Sequence, residues 1–318
     1  MDVHLNCWNE TDELKCVVVC GPSEIEVPDQ QTADDVQWEK PVSQNKAREN
    51  HHIMVSAMEQ EGVKVIDYSD YLSTKDKMLH LQLINRVFVR DLGCVFGNEL
   101  LPGEAGTSMR RPEYVMSHIL FNKWFDSSSF PIEANNSANA LEYGDVLILN
   151  KDAVFINTGL RTSMESIQKM KEQIFKAGFS EIGVIDLPRR GDTMHLDMNG
   201  NVVGKNLFLA KSYMRFFPVQ VINDRREHYE MMEQFLNRHG FEVIWSPDVK
   251  PDVRDTVANI NFLNLNPETL LISSKVNKKI FSHHPELKKK KLIEVDVAEL
   301  EKGGGGIRCM TLPFERRS

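Results

Sequence analysis

A chain of 318 residues, 41% hydrophobic and 26% charged, can bury a core and is long enough for one large domain or two ordinary ones. Its formal net charge of −8 opposes nucleic acid and anionic membrane surfaces, which both select positive patches, but leaves a small cationic substrate open. The five cysteines (Cys7, Cys16, Cys20, Cys94, Cys309) form no CxxC pair and no disulfide-like spacing, which predicts reduced thiols and no structural zinc. The opening MDVHLNCWNETDELK has acids and polar residues where a secretion signal needs a basic segment and an apolar core. No uncharged stretch reaches membrane-spanning length, so a cytoplasmic protein is expected.

In chain order, the extended run CVVVCGP comes first. HHIMVSAMEQEGVKVIDY then places Ile53, Met54, Ala57 and Met58 on one helical face, breaks at Gly62 and continues as a strand. RVFVRDLGCVF is extended and precedes a weaker helix, RPEYVMSHILFNKWF, which leads through serines into FPIEA. DVLILNKDAVFINTG, divided at Asn150–Asp152, predicts a hairpin. In TSMESIQKMKEQIFKAGF, Thr162 and Glu165 have capping-box spacing, Met164, Ile167, Met170 and Ile174 share a face, and Gly178 is the stop. HLDMNGNVVGKNLFLAK predicts a second hairpin turning at Asn199–Asn201. DRREHYEMMEQFLNRHG predicts a helix carrying Tyr229, Met232, Phe235 and Leu236, ended by Gly240. INFLNLNPETLLISS and HHPELKKKKLIEVDV supply a last copy ahead of the glycines at 303–306, with the lysines at 288–291 as a solvated helix end.

Gly62, Ser128, Gly178, Gly240 and Lys290 mark equivalent points 50 to 66 residues apart. Five copies of one supersecondary unit would nearly fill the chain, each burying its faces against its neighbours. The expectation is one α/β domain over residues 1–318 with no linker; a doubly wound sheet, which alternates similarly, is the competing architecture.

No GxGxxG, GxxxxGK[ST], HExxH or GxSxG occurs, so phosphate loops, zinc hydrolysis and serine-triad hydrolysis lack support. What remains is a set of acids, one histidine and one thiol at predicted strand ends. Asp91 sits in VFVRDLG, Glu142 and Asp145 in LEYGDVLIL, His195 and Asp197 in MHLD, and Cys309 in GGGGIRCMTLP. On a strand, His195 and Asp197 would share a face. Each has an ordinary structural account when taken alone: an aspartate caps a turn, His195 is a hydrogen-bonded core histidine, Cys309 a small buried residue. His51–His52 and His283–His284 read as surface residues at helix starts. Five units around an axis would bring corresponding loops, and hence these residues, into one pocket.

In order and in local wording these segments resemble the guanidino-group-modifying enzymes: arginine deiminase, dimethylarginine dimethylaminohydrolase and glycine amidinotransferase. The resemblance runs from WNETDELKCVVVCGP to GGGGIRCMTLP, and includes VFVRDLG (the Arg-Asp strand), LEYGDVLIL (the Glu-Gly-Gly-Asp strand), GLRTS and MHLD (the His-x-Asp segment). It implies the pentein fold, a five-unit α/β propeller. Three differences stand out. Tyr143 replaces the first glycine of Glu-Gly-Gly-Asp, where it could narrow the pocket; VRDLG lacks the proline often found after the Asp; and the chain is short for an extra helical domain.

The resemblance also implies a mechanism. A guanidinium carbon is a poor electrophile, so carboxylates must hold the planar cation and a thiolate must attack it. Cys309 is then the nucleophile that forms an amidino-cysteine intermediate, His195 the general acid and base, and Glu142 the group that orients His195. Asp91 and Asp197, with Asp145 nearby, would grip the guanidinium; Arg161 and Arg110 or Arg111 are candidates for a substrate carboxylate. The glycines would let backbone approach the ligand closely. The expected partner is a small guanidino compound, without nucleic acid, membrane, metal or organic cofactor, and with room for a homo-oligomer. An amidinotransferase and a non-catalytic binding protein of the same fold are the competing functions.

Overall fold

Among the described residues an antiparallel hairpin is combined with a helix five times along the chain, and in four of these the described residues also include a strand parallel to the hairpin. The computed structural model describes residues 3–125, 139–246 and 257–318. Strands β1 (Glu13–Val19) and β2 (Lys64–Asp67) run parallel, joined through the helix Gln44–Gln60. Strands β3 (Gly93–Phe96) and β4 (Glu99–Pro102) make a hairpin ahead of the helix Arg111–Phe125. Next come the hairpin β5 (Val146–Ile148) and β6 (Ala153–Thr158), the helix Met164–Lys176 and the parallel strand β7 (Glu181–Asp186).

The fourth unit pairs β8 (Gly200–Val202) with β9 (Leu207–Lys211), then inserts a hairpin, β10 (Pro218–Asn223) and β11 (Glu227–Met231), that extends the sheet beyond β7. The helix Met232–Arg238 then leads to β12 (Glu242–Ser246), parallel to β9. In the fifth unit, β13 (Leu263–Asn266) and β14 (Thr269–Ser273) form the hairpin, and β15 (Lys291–Val295) lies parallel to β14. Strand β16 (Leu312–Arg317) returns to pair antiparallel with β1, which gives the first unit its hairpin as well.

Strands β1 and β6, each flanked by strands on both sides, carry apolar runs because both their faces are covered. Val17, Val18 and Val19 of β1 are all buried, and so is every residue of β6. On the helix Met164–Lys176, Ile167, Met170 and Ile174 are buried, as their spacing predicts. Gly178 and Gly240 follow their helices at φ of 113° and 86°, a conformation that ends a helix at little cost for glycine. Phe235 is fully buried and packs at a tilt against Phe155, and burying one such ring contributes about 1.5–3 kcal/mol. Among the described residues, no helix is long and apolar enough to cross a membrane.

Several local expectations are corrected. The cap of the helix Met164–Lys176 is Ser163, whose hydroxyl accepts from the Ser166 amide at 3.1 Å, while Thr162 is turned inward against the backbone of Glu142. Tyr229 lies in β11 and is exposed; the helix starts at Met232 because hairpin pairing with β10 claims the residues before it. Asn199–Asn201 leads into and starts β8, and the hairpin turns instead around Gly204, at φ 71°. The first long helix opens at Gln44, so His51 and His52 lie in its interior. The predicted strand FPIEA falls outside the described residues.

Candidate active site

The acids and the histidine expected at strand ends are carried on short turns placed just before the first strand of a unit. Asp91 lies in the 3-10 turn Val89–Leu92 ahead of β3, and Asp145 in Tyr143–Asp145 ahead of β5, with Glu142 as the residue leading in. Asp197 lies in Leu196–Met198 ahead of β8, with His195 leading in. Cys309 occupies the turn ahead of β16. Because His195 and Asp197 sit on a turn and not a strand, they do not share a face. His195 lines a cavity, whereas Asp197 lies beneath it, fully buried.

That cavity, about 420 Å³, is lined by Cys309, His195, Glu142, Asp91, Arg110 and Arg161. Trp38 and Phe88 form an aromatic wall, joined by Met109, Met194, Met198 and the backbone of Gly303–Gly305. A Cβ on Gly305 would stand 2.7 Å from the Phe88 ring and 3.0 Å from the Cys309 Cβ, so the glycine lets ring and thiol pack against one strip of backbone. A Cβ on Gly144 would meet His195 Nδ1 at 2.7 Å and Asp91 Oδ1 at 2.9 Å. The Tyr143 side chain is directed away from the cavity. It is fully buried, near the Phe96 ring, with its hydroxyl 3.4 Å from the Pro102 carbonyl, and so does not narrow the pocket.

The central couple is His195 Nε2 donating to Glu142 Oε2 at 2.9 Å, with Asp91 Oδ1 3.9 Å from the same nitrogen. Glu142 Oε1 accepts from the Gly106 amide at 2.9 Å, and Arg161 Nη1 lies 3.4 Å from both carboxylate oxygens. Burial disfavours the imidazolium, yet the charge of Asp91, the Glu142 hydrogen bond and the charge of Asp145 raise His195 to about 10. Burial also disfavours the Glu142 carboxylate, but the His195 hydrogen bond and the Arg161 charge hold the acid down at about 2. The resting site therefore holds an imidazolium–carboxylate pair at neutral pH. Burial pushes the Cys309 thiol well above its ordinary range, and the charges of Asp197 and Asp91 add to this, so the sulfur rests protonated.

The remaining expected residues take other places. Arg110 is consumed by the protein: Nη1 donates to Asp91 Oδ2 at 2.5 Å, Nε and Nη2 to Glu113 at 3.0 and 2.9 Å, and Nη2 to the Phe88 carbonyl at 2.7 Å. It serves as counter-charge to Asp91 and still lines the cavity. Arg111 opens the helix Arg111–Phe125 and does not line the cavity. Asp145 is fully buried, its Oδ1 accepting from Asn157 Nδ2 at 2.7 Å and from the Leu196 amide at 3.0 Å; it braces the His195 turn from behind. Burial lifts Asp145 to about 7. Asp197 Oδ2 accepts from Arg308 Nη1 at 2.8 Å and lies 3.6 Å from Cys309 Sγ.

Sequence reasoning missed Arg308, Glu10 and Asn261. Arg308, 1% exposed, bridges Asp197 to Glu10, the latter at 2.9 Å. Asn261 donates from Nδ2 to Cys309 Sγ at 3.1 Å and accepts the Cys309 amide on Oδ1 at 3.0 Å. A usable signal existed in INFLNLN, where polar asparagines recur inside an apolar strand-like run and need buried partners. Arg308, between an isoleucine and a cysteine, gave no such pattern.

Asp91, Glu142 and His195 offer ligand atoms within 4.8 Å of one another, the spacing of a metal site. Each is already engaged by Arg110, Arg161 or a partner within the trio, and two guanidinium groups at this cluster oppose a further divalent cation. The donor set suits proton handling.

Comparison with known proteins shows the fold and the family. The chain is 25% identical over 298 residues to arginine deiminase of Borreliella burgdorferi (strain ZS7), covering 83% of this chain and 69% of that one. It is 22% identical over 313 residues to the uncharacterized protein YkgA of Bacillus subtilis (strain 168), covering 98% and 95%. Among solved structures, SxtG, an amidinotransferase from Microseira wollei, superposes with a TM-score of 0.70 at 15% identity, over 99% of this chain and 98% of that one. The dimethylarginine dimethylaminohydrolase of Pseudomonas aeruginosa, complexed with citrulline, superposes with a TM-score of 0.66 at 18% identity, over 95% and 100%. These two likenesses establish the α/β fold, and residues 74–316 match the family described as arginine deiminase: the chain belongs to the arginine deiminase family.

Proposed function

We propose that this protein is a cysteine-dependent hydrolase acting on the guanidino carbon of arginine or a related arginine derivative. The observation that carries the proposal is convergence: Asp91, Glu142, His195 and Cys309, from the turns of four different units, line one cavity beside an aromatic wall. In this reading the five units, residues 1–318, form a single propeller domain around that cavity and work without a metal or organic cofactor in the cytoplasm.

The steps follow from the resting charges. Asp91 draws the substrate guanidinium toward the sulfur, and the bound cation lowers the cost of the thiolate, so the Cys309 proton leaves to solvent. Sγ attacks the guanidino carbon and forms the C–S bond. The His195 imidazolium gives its proton to the departing nitrogen as the C–N bond breaks, leaving an amidino-cysteine. Neutral His195 then takes a proton from water as its oxygen attacks the same carbon. The C–S bond breaks as the remaining hydroxyl proton passes to solvent, the neutral ureido product leaves and the thiolate returns. Glu142 keeps the imidazole oriented throughout, and Asp197, held by Arg308, fixes the charge behind the sulfur.

The test is a panel of guanidino and ureido compounds with product analysis and intact-protein mass. Citrulline from arginine, with an adduct mapped to Cys309, supports hydrolysis. Ornithine that forms only when a second amine is supplied would make the protein an amidinotransferase. Full turnover in a Cys309→Ala variant would discard the covalent mechanism altogether.

A further inference from the structure

Four of the five units deliver a working group from the turn that precedes their first strand. The corresponding segment of the fifth unit is the helical turn Val257–Ile260, and the next residue is Asn261, two positions before β13. Asn261 is 1% exposed, and its side-chain amide is shared between the turn that holds the thiol and the backbone of Asp197. Nδ2 donates to Cys309 Sγ at 3.1 Å and to the Asp197 carbonyl at 3.1 Å, and Oδ1 accepts the Cys309 amide at 3.0 Å. Its own backbone carbonyl accepts from the Arg308 amide at 3.2 Å.

These partners fix the orientation of the amide. Turned over, it would set its oxygen against the Asp197 carbonyl and its NH2 against the Cys309 N–H, opposing like with like on both sides. Gly306 closes the other flank, since a Cβ there would stand 2.9 Å from the Asn261 Cβ and 2.9 Å from its Oδ1.

We propose that Asn261 is the hydrogen-bond donor that aims the Cys309 sulfur and stabilises its thiolate. This rests on the reading of Cys309 as nucleophile. Burial and the charges of Asp197 and Asp91 all favour the neutral thiol, so a site that must populate thiolate needs donors on sulfur. The Asn261 amide supplies one, and the Gly306 backbone amide acts in the same direction. With one sulfur lone pair tied to Asn261, the others are left for the cavity, which sets the line of attack.

The experiment is the pH dependence of Cys309 alkylation by iodoacetamide, mapped by peptide mass, in the unmutated protein and in Asn261→Asp and Asn261→Ala. Asn261→Asp keeps the acceptor for the Cys309 amide and removes the donor to sulfur; Asn261→Ala removes both. The expected result in each is a midpoint raised by about one to two pH units, or alkylation about 10- to 100-fold slower at a fixed pH below it. In the unmutated protein, the Asn261 side-chain ¹⁵N resonance should shift along the same titration, a readout that does not depend on any variant folding. Alkylation profiles that superimpose, or a resonance that stays still while Cys309 titrates, overturn the proposal. Turnover retained by Cys309→Ser would instead strike at the nucleophile assignment, and leaves the alkylation result standing.

Discussion

The Glu142–His195 couple can be tested by a change of one atom type, Glu142→Gln. In the native site, Glu142 gives one oxygen to His195 Nε2 at 2.9 Å and the other to the Gly106 amide at 2.9 Å, so both oxygens act as acceptors. Glutamine has one acceptor and one donor. If its oxygen stays on His195, its NH2 faces the Gly106 N–H; if it stays on Gly106, its NH2 faces the imidazolium. Either way the protonated ring loses support. A hydrogen bond to a charged group contributes about 1.5–3 kcal/mol, or about one to two pKa units. Asp91 remains 3.9 Å away and Asp145 remains behind the ring, so His195 should fall from about 10 to roughly 8–9 and not to its free value. Titrating imidazole resonances of histidine-labelled protein, with His195→Gln as the assignment control, reads this directly, and the alkaline limb of kcat/KM should move with it. An unmoved His195 midpoint would refute the reasoning, because Asp91 and Asp145 alone would then account for the imidazolium.

Four further outcomes are expected. His195 is raised from 6.5 to about 10, so its contribution to stability is complete below pH 6.5 and is lost as pH rises through 10; urea midpoints should fall across that window, and less steeply in His195→Gln. Arg308→Met strands the Asp197 and Glu10 carboxylates in the interior and should cost about 3–5 kcal/mol in denaturant unfolding. Gly305→Ala drives a methyl toward Phe88 and Cys309 and should lower kcat by up to about 10²-fold, seen in product assays, with a far smaller loss in thermal melts than Arg308→Met. Gly183→Ala is the reverse case: its Cβ would lie 2.4 Å from Phe235 in the core, which should cost about 1–3 kcal/mol in melting experiments with kcat unchanged.

The periodic parts of the fold were legible because they follow from burial alone. Ile167, Met170 and Ile174 recur at helical spacing since one face of that helix must leave water, and β6 is apolar from Ala153 to Ile156 since both its faces are covered. Tyr229 misled because the competition between strand and helix in EHYEMMEQF was decided by a tertiary partner, β10, which local spacing does not encode. Thr162 misled for a related reason. Its spacing to Glu165 fits a cap, but a hydroxyl two residues from a helix can also serve a distant backbone, and here it braces Glu142.

The site divides along the same physical line. Residues that line the cavity, such as Asp91, His195 and Cys309, each had an ordinary structural account when taken alone, and the order of their segments along the chain singled them out. Residues that answer a buried charge or orient a reacting atom did not stand out, because their necessity arises only after folding. Arg308 has no role in the sequence until Asp197 and Glu10 are brought within 2.8 and 2.9 Å of its guanidinium. Asn261 has none until the last turn lays Cys309 across it. Forty-eight residues separate the thiol from the amide that holds it, and the pairing of β16 with β1 seats Cys309 beside a strand from the start of the chain. The chemistry thus depends on the order in which units are packed and not on any one motif. A substitution that loosens β16 from β1 should accordingly disturb the thiol before it disturbs the His195–Glu142 pair, whose two turns, ahead of β8 and β5, belong to other sheets.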